Sequence, residues 1–371
     1  MDPMHPLDSA SELPPSSPTS GAGQQANPTW RGQDEQTVRF TGTTGEYFRI
    51  WAVNLCLNIV SLGLYSSWAK VRNKQYFTRH TFIGEHSFDY LADPLAIFKG
   101  RLVMGTFFVL LALSQTYSPL LYLGLLLVFM FASPWLLVKA MAFNARNHAF
   151  RNVRFRFSGS TGESYSMYLK GMLIYMFTLG LGYPYFQYIF VKFIVENSAF
   201  GDKGFRFKTA AGDYFVAFLI ALVGYFPTMF FIGLGFGGMV FAGAADSEVA
   251  VAISVGLIIV GYLCMIIPIA ILQAQMANLM WGGIELGDNT FLESNQKATD
   301  LFKMHVVHLF ALVFSFGLAM PWVRIRLARY RADTLVVHNA SDLVAQVHHS
   351  ADEDAYGDAA SDFGDFGLDL G

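Results

Sequence analysis

Hydrophobic positions in this chain come in long runs, at 102–113, 119–138, 215–243 and 249–272. A run of about 18 or more residues with almost no charge predicts a helix that spans a bilayer. The stretch from Pro119 to Val138 carries no charge. None of these runs shows the polar stripe that a soluble core helix would place every turn. Between the runs the pattern changes to alternation broken by turn residues, as in "TFIGEHSFDY", "FRNVRFRFSG" and "AFGDKGFRFK". Period-two alternation around a turn predicts short β-hairpins.

The whole pattern recurs five times. Aligned copies begin at Ser67-Trp68, Pro134-Trp135, Pro184-Tyr185, Pro268-Ile269 and Pro321-Trp322. Aromatic pairs follow at fixed offsets: Phe88/Tyr90, Phe155/Phe157 and Phe205/Phe207, with only Phe291 kept in the fourth copy. Proline suits the first turn of a helix, so Pro-Trp predicts the start of a new or kinked segment. Glu46, Glu163, Asp213 and Asp300 then fall in the first turn of the following helix, where the dipole favours an acid. A glycine recurs in "SLGLYSSW", "TLGLGYPY" and "SFGLAMPW", at Gly63, Gly180 and Gly317. Glycine suits a tight turn between helices. Each repeat therefore reads as a helical hairpin that turns at the glycine and returns to the next β-hairpin. Gly63, Trp68, Trp135, Gly180, Pro184, Gly317 and Trp322 mark those turns and the membrane boundary. The expected fold class is an all-α polytopic membrane protein with short β-hairpins between the helical hairpins. Its repeats are placed at 37–93, 94–160, 161–210, 211–294 and 295–335. The β-hairpins are expected to pair with each other or to pack on the Pro-Trp helices as one layer.

Composition agrees with a membrane body. The chain is 53% hydrophobic and 14% charged, where soluble domains average roughly 25% charged. A net charge of −3 gives no reason to expect nucleic acid. Cys56 and Cys264 lie far apart inside apolar runs, which suggests neither a disulfide framework nor a zinc site. Residues 1–36, rich in Pro, Ser, Gly and Gln, and the acidic residues 336–371 read as disordered tails. The first has no apolar core of a secretory signal.

Basic residues decide the expected orientation. Lys70, Arg72, Lys74 and Arg79 follow the first copy, Arg146, Arg151, Arg154 and Arg156 the second, and Arg324 to Arg331 occupy the fifth. The loops 114–118 and 243–248 carry no positive charge. The positive-inside rule puts every β-hairpin and both termini in the cytoplasm. Copies one, three and five are short, whereas copies two and four are long enough to span. Seven ordinary spans with alternating sides are the alternative, and would place some arginine clusters outside.

Candidate chemistry is sparse. Asn54 and Asn58 are one helical turn apart in the first hairpin, and Gln273, Gln275 and Asn278 sit in the fourth. Such amides either bond helices together or line a polar path. His305 and His308, at i and i+3, could hold a metal only with a third ligand. "GLGFGG" at 233–238 sits inside an apolar run, which favours close helix packing over a dinucleotide loop. Nucleophile elbows, phosphate loops and zincin motifs are absent from the sequence, so no catalytic, cofactor-binding or metal residues are assigned and no enzyme is expected.

Phe40, Gly42, the run Gly45 to Phe48, Leu62 to Tyr65, Trp68 to Arg72, Tyr76-Phe77, Thr81 and Phe88 form a pattern that resembles the YjgN-type bacterial inner-membrane family. The resemblance runs from about 38 to 335 and implies a multi-pass protein of the bacterial inner membrane. It supplies no catalytic residues. Two functions remain open: a channel or transporter-like protein, because repeated and broken helices are typical of such folds, and a non-transporting scaffold or lipid-interacting protein. The expected partners are the lipid bilayer and a solute or protein whose identity the sequence leaves open.

Overall fold

The computed structural model describes residues 35–244, 247–287 and 289–340. Most of the two predicted tails lies outside these residues. Within them, the chain starts with strand β1 (Glu35–Phe40), which feeds α1 (Thr44–Val60) and α2 (Ser66–Arg79). The hairpin β2 (Thr81–Ile83) and β3 (His86–Tyr90) follows, then α3 (Pro94–Tyr117) and α4 (Pro119–Arg146). Next come β4 (His148–Phe150) and β5 (Val153–Phe157), then α5 (Thr161–Phe177) and α6 (Tyr183–Glu196). The strands β6 (Ser198–Phe200) and β7 (Lys203–Phe207) lead to α7 (Ala211–Ala244), α8 (Glu248–Cys264) and α9 (Ile266–Trp281). Finally, β8 (Ile284–Leu286) and β9 (Thr290–Ser294) precede α10 (Ala298–Phe314), α11 (Met320–Asp333) and β10 (Leu335–His338).

The all-α expectation is overturned by the strands. The ten of them close into one antiparallel barrel in the order β1-β10-β9-β8-β7-β6-β5-β4-β3-β2. The β-hairpins thus pair with each other, and the layer they form is a closed wall. The physical reason lies in strand length. Strands of three to six residues are marginal as isolated hairpins, and closure leaves no edge unpaired. The closing contact pairs Glu35 with His338, Gln36 with Val337 and Thr37 with Val336. These strands also cross the boundaries drawn for the tails at 36 and 336.

Alternation fills the barrel. Val38, Ile83, Phe150, Val153, Phe200, Leu286 and Val337 form its buried core, with Phe88, Phe155 and Phe205 packed against them. The first aromatic of each predicted pair therefore lies in the interior. The second seals the junction with the helices: Phe157 meets Phe193 edge-on, and Phe207 packs against Tyr188 and Tyr214. Arg39, Arg154, Arg156 and Arg206 alternate with these core residues and face outward. Arg39 donates to the Gly84 carbonyl and Arg156 to that of Gly201, bonding the same point in the β2–β3 and β6–β7 hairpins.

Antiparallel order places all tight turns on one rim and all helices on the other. Every segment that joins two helical hairpins is part of the barrel. The helices pack on their neighbours round the barrel, α11 against α1, α1 against α2, α2 against α3, and so on to α9 against α10. Among the described residues, four segments are long and apolar enough to cross a membrane: Pro94–Tyr117, Pro119–Arg146, Ala211–Ala244 and Glu248–Trp281. The outbound helices α1, α5 and α10 have 17 residues each, or about 25 Å. They fall short of a core of about 30 Å.

The three short hairpins share one turn. The N–H of Gly63, Gly180 and Gly317 bonds the carbonyl of Asn58, Tyr175 and Leu312, each at 2.8 Å. The hydroxyls of Ser61, Thr178 and Ser315 accept from Tyr65, Gly182 and Ala319 N–H groups and start the return helix. Both central residues are left-handed, with φ near 51° at Leu62, Leu179 and Phe316 and 85° to 92° at the glycines. In water such a turn would carry Asn or Gly. Here the apolar residue at the tip is 94% to 95% exposed, which suits a tip surrounded by acyl chains. Pro184, Pro268 and Pro321 stand at the starts of their return helices as expected, whereas α4 runs continuously through Pro134. The carbonyl of Met130, which proline cannot bond, accepts from the Ser133 hydroxyl instead.

Nothing lies within 4 Å of a Cβ added at Gly63 or Gly317. Replacing either by alanine therefore costs only the left-handed backbone strain, about 1 kcal/mol. Gly63→Ala and Gly317→Ala should each lower the unfolding midpoint in detergent, while the helical Gly100→Ala should leave it unchanged or raised. Equal midpoints for all three would refute the turn assignment.

A basic vestibule above the barrel as candidate functional site

The inward stripe of α2 runs Ser66, Ala69, Lys70, Asn73, Lys74, Phe77 and Thr78, at the three- and four-residue spacing of one helix face. It lines a cavity of about 680 Å³ together with Asn58, Thr81, Phe88, His148 and Arg324. From Ser66 to Phe77 the helix rises about 16 Å. The cavity thus extends from near the hairpin tip to the phenylalanine-filled barrel mouth. Among the described residues no carboxylate lines it, against three basic side chains.

Two of these cations, Lys74 and Arg324, are held by neutral neighbours. Lys74 Nζ donates to Asn144 Oδ1 at 3.1 Å and lies 4.6 Å from the Tyr90 ring centroid. Arg324 donates to Tyr47 Oη at 2.9 Å, joining α11 to α1. Arg101 donates to Ser66 Oγ at 2.6 Å and adds a fourth positive charge at the rim. Burial holds the His148 imidazole below its ordinary value; its bond with the Asn144 carbonyl opposes this and the charge of Lys74 adds to it. His148 is therefore neutral at pH 7, and the fixed charge rests on the lysines and arginines.

The predicted amides separate. Asn54 is buried, and its Nδ2 donates to Asn73 Oδ1 at 3.2 Å, which bonds α1 to α2. Asn58 lines the cavity with an amide oxygen that has no protein partner. Gln273 and Gln275 lie on α9 away from this cavity, the Gln273 Oε1 buried without a partner. Asn278 fastens α9 to the approach of α10 through the Gln296 backbone and the Ser294 hydroxyl.

Other candidates resolve into packing. Trp68 stacks on Tyr65 and reaches Phe98 on α3. Trp135 stays partly exposed, Pro184 is buried, and Trp322 lies between His308 and Arg326. His305 and His308 have ring centroids 6.3 Å apart, and among the described residues no group of three metal-ligating side chains occurs. Within 233–238, Gly235 and Gly238 let α7 approach α8, a Cβ on Gly235 falling 2.8 Å from the Ser254 carbonyl, and on α8 a Cβ on Gly261 would lie 2.9 Å from the Ile232 nitrogen. What sequence reasoning missed was the basic stripe itself. In the sequence Lys70 and Lys74 serve only to set orientation, although their four-residue spacing already puts them on one face.

The fold and site define a polytopic membrane protein whose helical hairpins stand on a closed barrel. The chain belongs to the DUF898 family, described as "Bacterial protein of unknown function", which matches residues 35–363. It is 22% identical over 353 aligned residues to the inner membrane protein YjgN of Salmonella typhimurium, covering 82% of this chain and 89% of that protein. It is 27% identical over 161 residues to YjgN of Escherichia coli O157:H7, covering 43% of this chain and 39% of that protein. No solved structure matches. The family and the four spanning segments make this an inner-membrane protein.

The two asparagines give opposite expectations. Asn54→Leu removes an interhelical bond worth about 0.6 to 1.7 kcal/mol and should lower the unfolding midpoint. Asn58→Leu removes no protein partner and should stay within about 0.5 kcal/mol of the native chain. Equal losses, measured by thermal unfolding in detergent, would contradict the separation of roles.

Proposed function

We propose that the protein is transporter-like and takes a solute into the vestibule from within or across the membrane, rather than conducting through an open pore. The observation that carries this reading is the cavity itself, whose polar wall climbs from the barrel mouth to Asn58 near the hairpin tip. Its floor is the phenylalanine core of the barrel, so a continuous channel down the barrel axis is disfavoured. Passage would need the helices to rearrange around a fixed site, as repeat-built transporters do. In this reading the barrel and both termini lie in the cytoplasm, in keeping with the basic residues near the barrel. No catalytic role and no nucleic-acid partner are assigned. A scaffold or lipid-interacting role is the second reading, favoured by the exposed apolar tips at Leu62, Leu179 and Phe316.

A single cysteine at Ser66 tests the choice, in a chain with Cys56 and Cys264 replaced by alanine. Membrane-impermeant thiol reagents are applied to right-side-out and to inverted vesicles. Labelling from both sides is expected of a site with alternating access. Labelling from one side alone would exclude it and leave the scaffold reading.

A further inference from the structure

We propose that the vestibule binds the anionic headgroup of a membrane lipid or similar amphiphile, entering sideways from the leaflet that faces the barrel. The proposal rests on the vestibule being a binding site, as argued above, and names the class of its ligand. Three features carry it. First, the cavity wall holds Lys70, Lys74 and Arg324 with no carboxylate lining it. Cations held at membrane depth favour a counter-charge, and neutral Asn144 and Tyr47 supply only hydrogen bonds. A phosphate or carboxylate supplies both charge and acceptor oxygens.

Second, the side wall is low where these cations sit. The helices α10, α11, α1 and α2 follow one another round the barrel, and they are short, with 17, 14, 17 and 14 residues. The spanning helices α3 and α4 flank the other side of the cavity, where Arg101 meets Ser66 and Lys74 meets Asn144, and α7 to α9 stand farther round. A lipid can therefore reach Lys70 and Arg324 across this gap without crossing a full-height wall.

Third, the polarity along α2 matches an amphiphile. Lys74 and His148 lie toward the barrel, Lys70 and Arg324 above them, and Asn58 with Ser66 higher still. One turn further come Leu62 and Leu64, both exposed. A headgroup at the lysines would lead its acyl chains upward past that apolar tip, in the direction lipid tails already run. Asn58, whose amide oxygen is buried without a protein partner, marks the upper polar end of this wall. A free anion would use the basic residues but leave the apolar tip without a role.

The test is lipid binding to the purified full chain in detergent, read by native mass spectrometry and by thermal shift. The probes are phosphatidylglycerol, phosphatidylcholine and inorganic phosphate. The native chain should bind phosphatidylglycerol at least about tenfold more tightly than phosphatidylcholine, and phosphate should give no comparable shift. Lys70→Glu should lose most of that preference, because Lys70 is exposed and its replacement leaves the fold intact. Arg72→Glu is the control, two residues along and so on the opposite helix face. It carries the same charge change and should bind as the native chain does. Equal loss in both variants would reduce the effect to general surface charge and overturn the proposal. An equal shift with phosphate would overturn the lipid in favour of a free anion. No binding of phosphatidylglycerol by the native chain would overturn the ligand class, while two-sided labelling at Ser66→Cys would still support transport. Binding with one-sided labelling would keep the lipid site and reject transport.

Discussion

Pairing between β1 and β10 joins the two ends of the membrane body, and the rest of the architecture depends on it. Strands of three to six residues have little stability in pairs. Closing ten of them satisfies every ladder and buries a common core of phenylalanine and branched side chains. The core then acts as a hub. Each helical hairpin starts and ends on it, so hairpin length is free to vary while attachment stays fixed. This is why a repeat with 17- and 14-residue helices and a repeat with 24- and 28-residue helices coexist in one ring.

That freedom has a functional consequence. Because the barrel holds the short hairpins in place, they need no span to anchor them, and the ring can keep a low side. The same hub closes the axis with Phe88, Phe155 and Phe205. What remains is a vestibule floored by aromatic rings. Lys74 on α2 and Arg324 on α11 have neutral partners, Asn144 from α4 and Tyr47 from α1, so the site is held in shape by contacts between repeats.

Much of this was legible in the residues. Runs without charge marked the long spans, and the recurring glycine marked the tips, because a left-handed turn restricts residue choice. Capping was legible too: Ser160 and Glu163 form a reciprocal box at the start of α5, as the acid at that offset suggested. Alternation located the strands but not their closure. Register between β1 and β10 depends on contacts between distant segments, and no local spacing encodes it. Expecting the hairpins to form one layer stopped short of closure, and the all-α class is corrected by the barrel. The amides were found by type alone. Only geometry told Asn54, which bonds Asn73, from Asn58, which faces the cavity.

Barrel closure is tested most directly by one engineered disulfide. Thr37 and Val336 are direct partners across the β1–β10 seam, and adjacent strands hold such positions about 4.5–5.5 Å apart, within disulfide reach. In a chain with Cys56 and Cys264 replaced by alanine, Thr37→Cys with Val336→Cys is oxidised in native membranes and followed by gel mobility with and without reductant. Closure predicts near-complete intramolecular cross-linking, and little when Thr37→Cys is combined instead with a cysteine at Glu163. Absence of the seam cross-link in folded protein would contradict the barrel, and with it the hub on which the hairpins and the vestibule depend.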